Sequence, residues 1–325
     1  MLFADSGLNL GQALLDGLGM GMLFALVALG YTMVYGIVEL INFAHGDLFM
    51  LGTFFALTLL AALGLTGSGL AEAGTGKLVV AFVLMILTVP VFCAGLNWAV
   101  DFVVYKPLRN APKLAPLVSA IGVSFVFMGI GLFWNYLVPE NGQKVPAAAD
   151  RNFPNLLPDR NLIEGTGYRL TVKDAMVLGI TLPIMVALTL FVRYTSLGKA
   201  MRATAQNPTA ARLMGINVDR VIGSTFVLGG GLAGVASVVY ALYVNTISYQ
   251  VGFQNGLYAF TAAVLGGIGN IPGAVLGGVL IGLIRSVGSA TIGERWTSAL
   301  VFAILIVILV FRPTGLLGAR TREKV

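Results

Sequence analysis

The residues best equipped for chemistry stand together in Glu39–Asp47, ELINFAHGD, which places two acids, an asparagine and the chain's single histidine between two apolar runs. A metal cluster would need further ligands, and Cys93 is the lone cysteine, so neither a multi-ligand metal site nor an intrachain disulfide can be assembled; Cys93 reads as packing. A serine or threonine nucleophile would have to recruit His45 and an orienting acid. Two readings of the segment stay open: a helix-breaking turn, or a polar element of a translocation pathway built on Asn42, His45 and Gly46. The nearest approach to a phosphate-binding loop, Ala71–Leu78, has Gly76 and Lys77 but alanine where the first glycine belongs and leucine where Ser or Thr should follow. The chain is therefore expected to be no enzyme. If ATP drives it, another subunit carries the nucleotide.

The elements that must position these residues are set by composition. Of 325 residues 57% are hydrophobic and 10% charged, against about 25% charged in soluble domains. Mean hydropathy is +0.90, too apolar for one buried core, and a bilayer core of roughly 30 Å takes about 20 apolar residues per helical crossing. The fold class expected is all-α, a polytopic integral membrane protein forming one permease domain over 1–325. The formal charge of +6 is what basic residues flanking apolar spans produce, not a nucleic-acid surface. The first basic residue is Lys77, so no cleavable signal is expected and the first span directs insertion.

Uncharged stretches at Gly17–Val38, Leu48–Ala71, Leu78–Val100, Leu114–Pro139, Ala175–Val192 and Trp296–Phe311 each suit one helix. The longer region from Val221 divides into Val221–Val244, Leu257–Leu265 and Ala274–Ala290, separated by the polar run Asn245–Gly256 and the loop-like Gly266–Gly273. These spans are read as free of acidic or paired charged residues, which argues against an ion-coupled secondary transporter. Arg193–Arg220 holds five Lys/Arg and one Asp, and the tail after Phe311 four Lys/Arg and one Glu; both should be cytoplasmic. The loop 139–174, with balanced charge, and the N-terminus, with Asp5 and Asp16 before any basic residue, should lie outside. That parity demands an odd number of crossings, whereas the full-length spans number eight. A broken or re-entrant helix near 257–273 supplies the difference, giving eight to nine segments.

Glycines at 269, 273 and 277, and at 278 and 282, recur four apart and mark helix-packing faces; Pro272 is expected to bend or break the run. In the loop 193–220 the run LGKAMRATAQNPTAARLMGINVDRV offers two short helices at Ala200–Ala205 and Thr209–Met214, with Asn207 capping the second, Pro208 in its first turn and Gly215 ending it. A rigid docking element and a plain basic loop both fit that composition.

Together INFAHGDLFMLG, RATAQNPTAARLMGINVDRV, AFTAAVLGGIGNIPGAVLGG and FRPTGLLG resemble the LivH-type permease subunit of bacterial branched-chain amino acid ABC importers, from Gly17 to the C-terminus. The resemblance implies an inner-membrane, multi-pass permease working beside a second related permease, two ATPase subunits that hold ATP and Mg, and a periplasmic amino-acid-binding protein. Surrounding lipid is the remaining partner. It also implies that Arg202, Pro208, Thr209, Ala210, Ala211 and Gly215 belong to a coupling helix seated in the ATPase, with Thr209 where the general importer loop has glutamate. ATPase closure would then rock the two permeases between outward and inward access. A same-family permease for urea or short amides is the alternative substrate reading.

Overall fold

The computed structural model describes residues 10–38, 42–71, 74–109, 111–112, 114–138, 145–165, 167–312 and 314–318. Long helices dominate: α1 (Leu10–Val38), α2 (Ala44–Ala62), the short α3 (Ser68–Ala71), and α4 (Thr75–Val100). The last runs through a π-helical turn, Asp101–Tyr105, into α5 (Lys106–Leu108). There follow α6 (Leu114–Leu137), strand β1 (Arg151–Asn152), α7 (Val172–Tyr194), α8 (Ser196–Gln206) and α9 (Pro208–Leu213). The chain closes with α10 (Val218–Val244), β2 (Thr246–Ile247), α11 (Val251–Gly266), α12 (Ile271–Ile292) and α13 (Glu294–Phe311). Among the described residues eight helices are long and apolar enough to cross a membrane.

The sixteen-residue α11 spans about 24 Å at 1.5 Å per residue, short of a full crossing, and stands where the broken segment was expected. It begins at Val251, inside the run Asn245–Gly256 that reads as a polar interruption in the sequence, because Gly252, Asn255 and Gly256 are buried against neighbouring helices. The break falls at Gly267–Asn270. Pro272 opens α12 rather than bending it: it occupies the first turn, where no amide donor is needed, and Asn270 caps that turn by accepting from Gly273 N at 3.0 Å. Other starts are equally local, with a Thr171/Asp174 capping box on α7 and Asn217 accepting from Arg220 N on α10.

α1 is the axis of the bundle. Every residue from Gly21 to Val34 is buried, as a helix apolar all round requires. It packs most extensively against α12, while α10 lies against α4, α2 and α1. The α1–α12 contact is made by small residues: a Cβ on Gly278 would sit 2.5 Å from Ala25 Cα, and one on Gly21 2.8 Å from Val279 Cα. Gly273 and Gly277 face the other way, onto the backbone of Gly266 and Ala262 in α11. Gly269 lies ahead of the helix at φ 85° and packs on Gly36, so it is not part of that face. The outer helices α4, α6, α7 and α13 turn Val91, Phe125, Val186 and Val310 outward, the apolar exterior a lipid environment calls for.

Against the expectation of spans free of acidic or paired charged residues, the helices carry several: Asp16, Lys173, Asp174, Asp219 and Glu294 stand near helix ends, and two others bear on the packing. Asp47 is in the first turn of α2 and fully buried, and Arg285 is in α12. Sequence reading began the second span at Leu48, four residues after the helix starts at Ala44. Arg285 is tolerated because its guanidinium lies 5.1 Å from the ring of Tyr258 and pairs with Glu294 at 3.0 Å.

Beyond α13 the chain doubles back on the break. Leu316 N donates to Leu265 O at 2.8 Å, Leu317 N to Gly266 O at 3.0 Å, and Asn270 Nδ2 to Leu317 O at 2.7 Å. The final carbonyls of α11, orphaned by the end of the helix, are thus met by backbone from a distant segment.

Candidate translocation site and coupling segment

The start of α2 is buried inside the bundle. Phe43 precedes it without a side-chain cap, and Ala44 through Thr53 are all buried. Gly46 permits this, since its Cα packs at the backbone of α11: a Cβ there would meet Gly252 O at 2.5 Å. Gly30 on α1 does the same for the histidine, whose ring fills the space a side chain would take. Tyr31 meets the His45 ring edge-on, with centroids 4.7 Å apart. Asn42 Oδ1 accepts from Tyr105 Oη at 3.0 Å, a contact the π-helical turn makes available.

The polar atoms here are only partly satisfied. Asn42 Nδ2 and Asp47 Oδ1 have no partner among the described residues, the His45 ring has its Nε2 against Gly30 and the Val27 carbonyl of α1, and the other oxygen of Asp47 accepts from Ser124 Oγ on α6. An unsatisfied buried polar group costs about 1–3 kcal/mol, so the cluster is held in place by its surroundings. Asn42 and His45 face a pocket with Tyr31, Tyr35, Phe260 and Ile268, whose free space of about 10 Å³ is on the threshold for one water. Gly46 does not line it and packs on Gly252 and Gly256 of α11.

The segment between α7 and α10 folds as two short helices. Thr195 Oγ1 accepts from Gly198 N at 3.0 Å to start α8, and Asn207 Oδ1 accepts from both Thr209 N and Ala210 N at 3.0 Å to start α9, with Pro208 in the first turn. Gly215 ends it at φ 82°, a conformation that favours glycine. Thr209, Ala210 and Arg212 are exposed, but Ala211 is 4% exposed and turned into the protein. It therefore anchors α9 and is no part of an outward face. The outward apolar residues are Leu213 and Met214, 84% and 82% exposed. Arg202 donates to Arg193 O and, with Met201 and Ala205, borders a groove whose other wall is Thr32, Met33 and Gly36 of α1. Arg109 ties the same end of the bundle together by pairing with Asp101 at 2.8 Å and with Asp219 at the start of α10.

At the opposite ends of α1, α7 and α10 a polar cleft of about 750 Å³ opens between Gln12, Asp16, Tyr168 and Lys173. Lys173 Nζ holds Asp159 Oδ1 at 2.7 Å, and that hydrogen bond lowers the Asp159 carboxyl below its usual range. Asp174 accepts from Tyr243 Oη at 2.8 Å where Gly19 leaves room for both. Among the described residues no group of three or more His, Cys, Asp or Glu is placed to hold a metal.

Residues 13–309 match the family described as branched-chain amino acid transport system / permease component. The chain belongs to that family. It is 39% identical over 319 residues, 97% of each chain, to the high-affinity branched-chain amino acid transport system permease protein LivH of Escherichia coli strain K12. It is 38% identical over 319 residues, again 97% of each, to LivH of Salmonella typhimurium. BraD of Pseudomonas aeruginosa is 39% identical over 321 residues, with the same coverage. No solved structure matches.

As a permease component the chain is a multi-pass membrane protein, and both clusters singled out in its sequence have defined surroundings. The structure brings Asn42, His45 and Gly46 to one place at the start of α2, and it gathers Thr209, Ala210 and Gly215 on a capped helix-turn with Arg202 on the preceding helix. Sequence reasoning missed Leu213 and Met214. The signal was present: two large apolar residues within a loop of five basic residues, where nothing but a partner or lipid would cover them.

Proposed function

We propose that this permease imports branched-chain, hydrophobic amino acids across a bacterial inner membrane as one of two related permease subunits in an ATP-driven complex. Two ATPase subunits supply the nucleotide site and Mg, and a periplasmic binding protein delivers substrate. The observation that carries this reading is 39% identity extending over 97% of both chains to proteins named for high-affinity branched-chain amino acid transport. The N-terminus lies outside and the C-terminus in the cytoplasm, an orientation supported by the basic residues of 193–220. With α11 counted, that orientation has the odd parity it requires.

In this reading α8 and α9 form the coupling element. Exposed Thr209, Ala210, Leu213 and Met214 seat in the ATPase, while Arg202 and its neighbours carry the displacement to α1. Asn42, His45 and Gly46 border the pathway. The test is reconstitution of this chain with its neighbouring permease, ATPase subunits and binding protein in vesicles. Leucine uptake should require ATP and binding protein; uptake of urea or acetamide in its place, or uptake driven by an ion gradient without ATP, would overturn the proposal.

A further inference from the structure

We infer that the pocket at the start of α2 is a subsite for the zwitterionic head of an aliphatic α-amino acid, closed in this structure. The inference rests on the import reading above and adds to it a place and a chemistry. Helix starts carry a partial positive charge, and α2 places its own in the protein interior without a side-chain cap, with His45 N turned back onto Asn42 O at 3.2 Å. A second, independent observation points to a ligand: Asn42 Nδ2 has no partner among the described residues, on a side chain 3% exposed that lines the pocket, beside a His45 ring whose Nε2 is turned toward Gly30 and the Val27 carbonyl of α1.

The donors and acceptors match both charges of the ligand. Asn42 Nδ2 is a donor for a carboxylate, and the positive end of α2 favours the same charge, as broken-helix starts do at membrane depth. A neutral imidazole offers one donor and one acceptor, and the acceptor, with the faces of Tyr31 and Tyr35, suits an ammonium group. A zwitterion has no net charge, so it is the form of an amino acid that a sealed interior admits at least cost when both ends are matched. Val34, Ala263 and Ile268 supply the wall for an aliphatic side chain. Asp47 does not compete for the ammonium, because its carboxylate is turned toward Ser124 and does not line the pocket.

The free space of about 10 Å³ admits one water and no amino acid, so occupancy requires the wall to move. The wall's weakest member is Ile268, on the turn Gly267–Asn270 between α11 and α12. Gly267 at φ 105° and Gly269 at φ 85° flank it, conformations that favour glycine, and its movement would have to release the bonds that Leu316, Leu317 and Asn270 make at this turn.

The test has two arms on the complete complex in vesicles with its binding protein. In the first, Asn42→Leu and His45→Leu should each lower leucine imported per ATP hydrolysed at least tenfold while the subunits still co-purify; His45→Gln, which restores a donor and an acceptor, should recover most of the loss. In the second, which leaves Asn42 and His45 in place, Ile268→Cys in a Cys93→Ala background is reacted with a permeant thiol reagent. Leucine should slow that reaction at least threefold, and leucinol, which lacks the carboxylate, should not. Unchanged import by both leucine variants, or equal protection by leucine and leucinol, would sink the subsite. A parental complex that fails to import leucine would instead sink the import reading itself.

Discussion

Gly278→Ala tests the packing argument most directly, because the change adds a single methyl group at the centre of the contact on which α1 is fixed. The added Cβ would stand 2.5 Å from both Cα and N of Ala25. Ala25 is fully buried, and its backbone cannot rotate aside as a side chain could. Ordinary contact begins near 3.4 Å, so α1 and α12 must part by about 1 Å, a gap that forfeits up to about half the dispersion energy of the atoms affected. Overpacking of this kind costs about 1–3 kcal/mol. At roughly 2–4 °C per kcal/mol for a chain of this order of size, the thermal midpoint of the detergent-solubilised protein should fall by about 2–12 °C. Survival of the monodisperse peak after heating, read by size-exclusion chromatography, is the assay. The internal control is Gly95→Ala, at a helical position with nothing within 4 Å of the added carbon, where replacing glycine should stabilise by about 0.5–1 kcal/mol. Should Gly278→Ala melt with the parent, or Gly95→Ala melt as early as Gly278→Ala, close backbone contact is not what holds α1 to α12.

Ala211→Pro should uncouple transport from ATP hydrolysis while the spans still insert, since it removes the bond from Ala211 N to Asn207 O and costs about 3 kcal/mol in a helix interior; normal uptake in vesicles would show that α9 need not stay folded. Leu213→Asp should act without unfolding anything, by weakening co-purification of the ATPase subunits at least tenfold, and full retention of those subunits would remove the exposed apolar pair from the contact. Orientation is checked in a Cys93→Ala background: a cysteine at exposed Asn155 should react with an impermeant thiol reagent outside intact cells and one at exposed Thr209 should not, with the reverse pattern overturning the topology. Thr204 would be a poor reporter, because at 1% exposure it is shielded from either side.

Local signals were legible in the chain wherever one residue's chemistry decides the outcome. Asn207, Pro208 and Gly215 specify α9 by cap, first turn and terminator, and all three act as their types predict. The charge pattern marked the segment that carries α8 and α9 for the same reason. What escaped reading depends on neighbours far away in sequence. Val251–Gly256 looks polar, yet it is helical because Gly252 and Gly256 close on Gly46. Asp47 looks like the end of a loop and is inside a helix, held by Ser124 from 77 positions further on. The pocket at His45 could not be foreseen at all, since Gly30, Tyr31 and Phe260 come to it from helices that only tertiary packing brings together. Ala211 and Leu213 show the same limit on a smaller scale: the family resemblance named the first as a contact and the sequence reading passed over the second, and only the rotation of a six-residue helix separates anchor from surface.

The return of the chain onto the end of α11 also fixes an order of events during synthesis. Asn270 and Leu317 are 47 positions apart, so when the turn between α11 and α12 leaves the ribosome, the backbone that will satisfy Leu265 O and Gly266 O has yet to be made. Until it arrives, those carbonyls must be served by water or by the insertion machinery, and the inner end of α11 stays open. Residues 314–318 are therefore the closing stitch of the bundle, and a stop codon or affinity tag placed ahead of Gly318 would leave every spanning helix translated and the seam beside Ile268 undone.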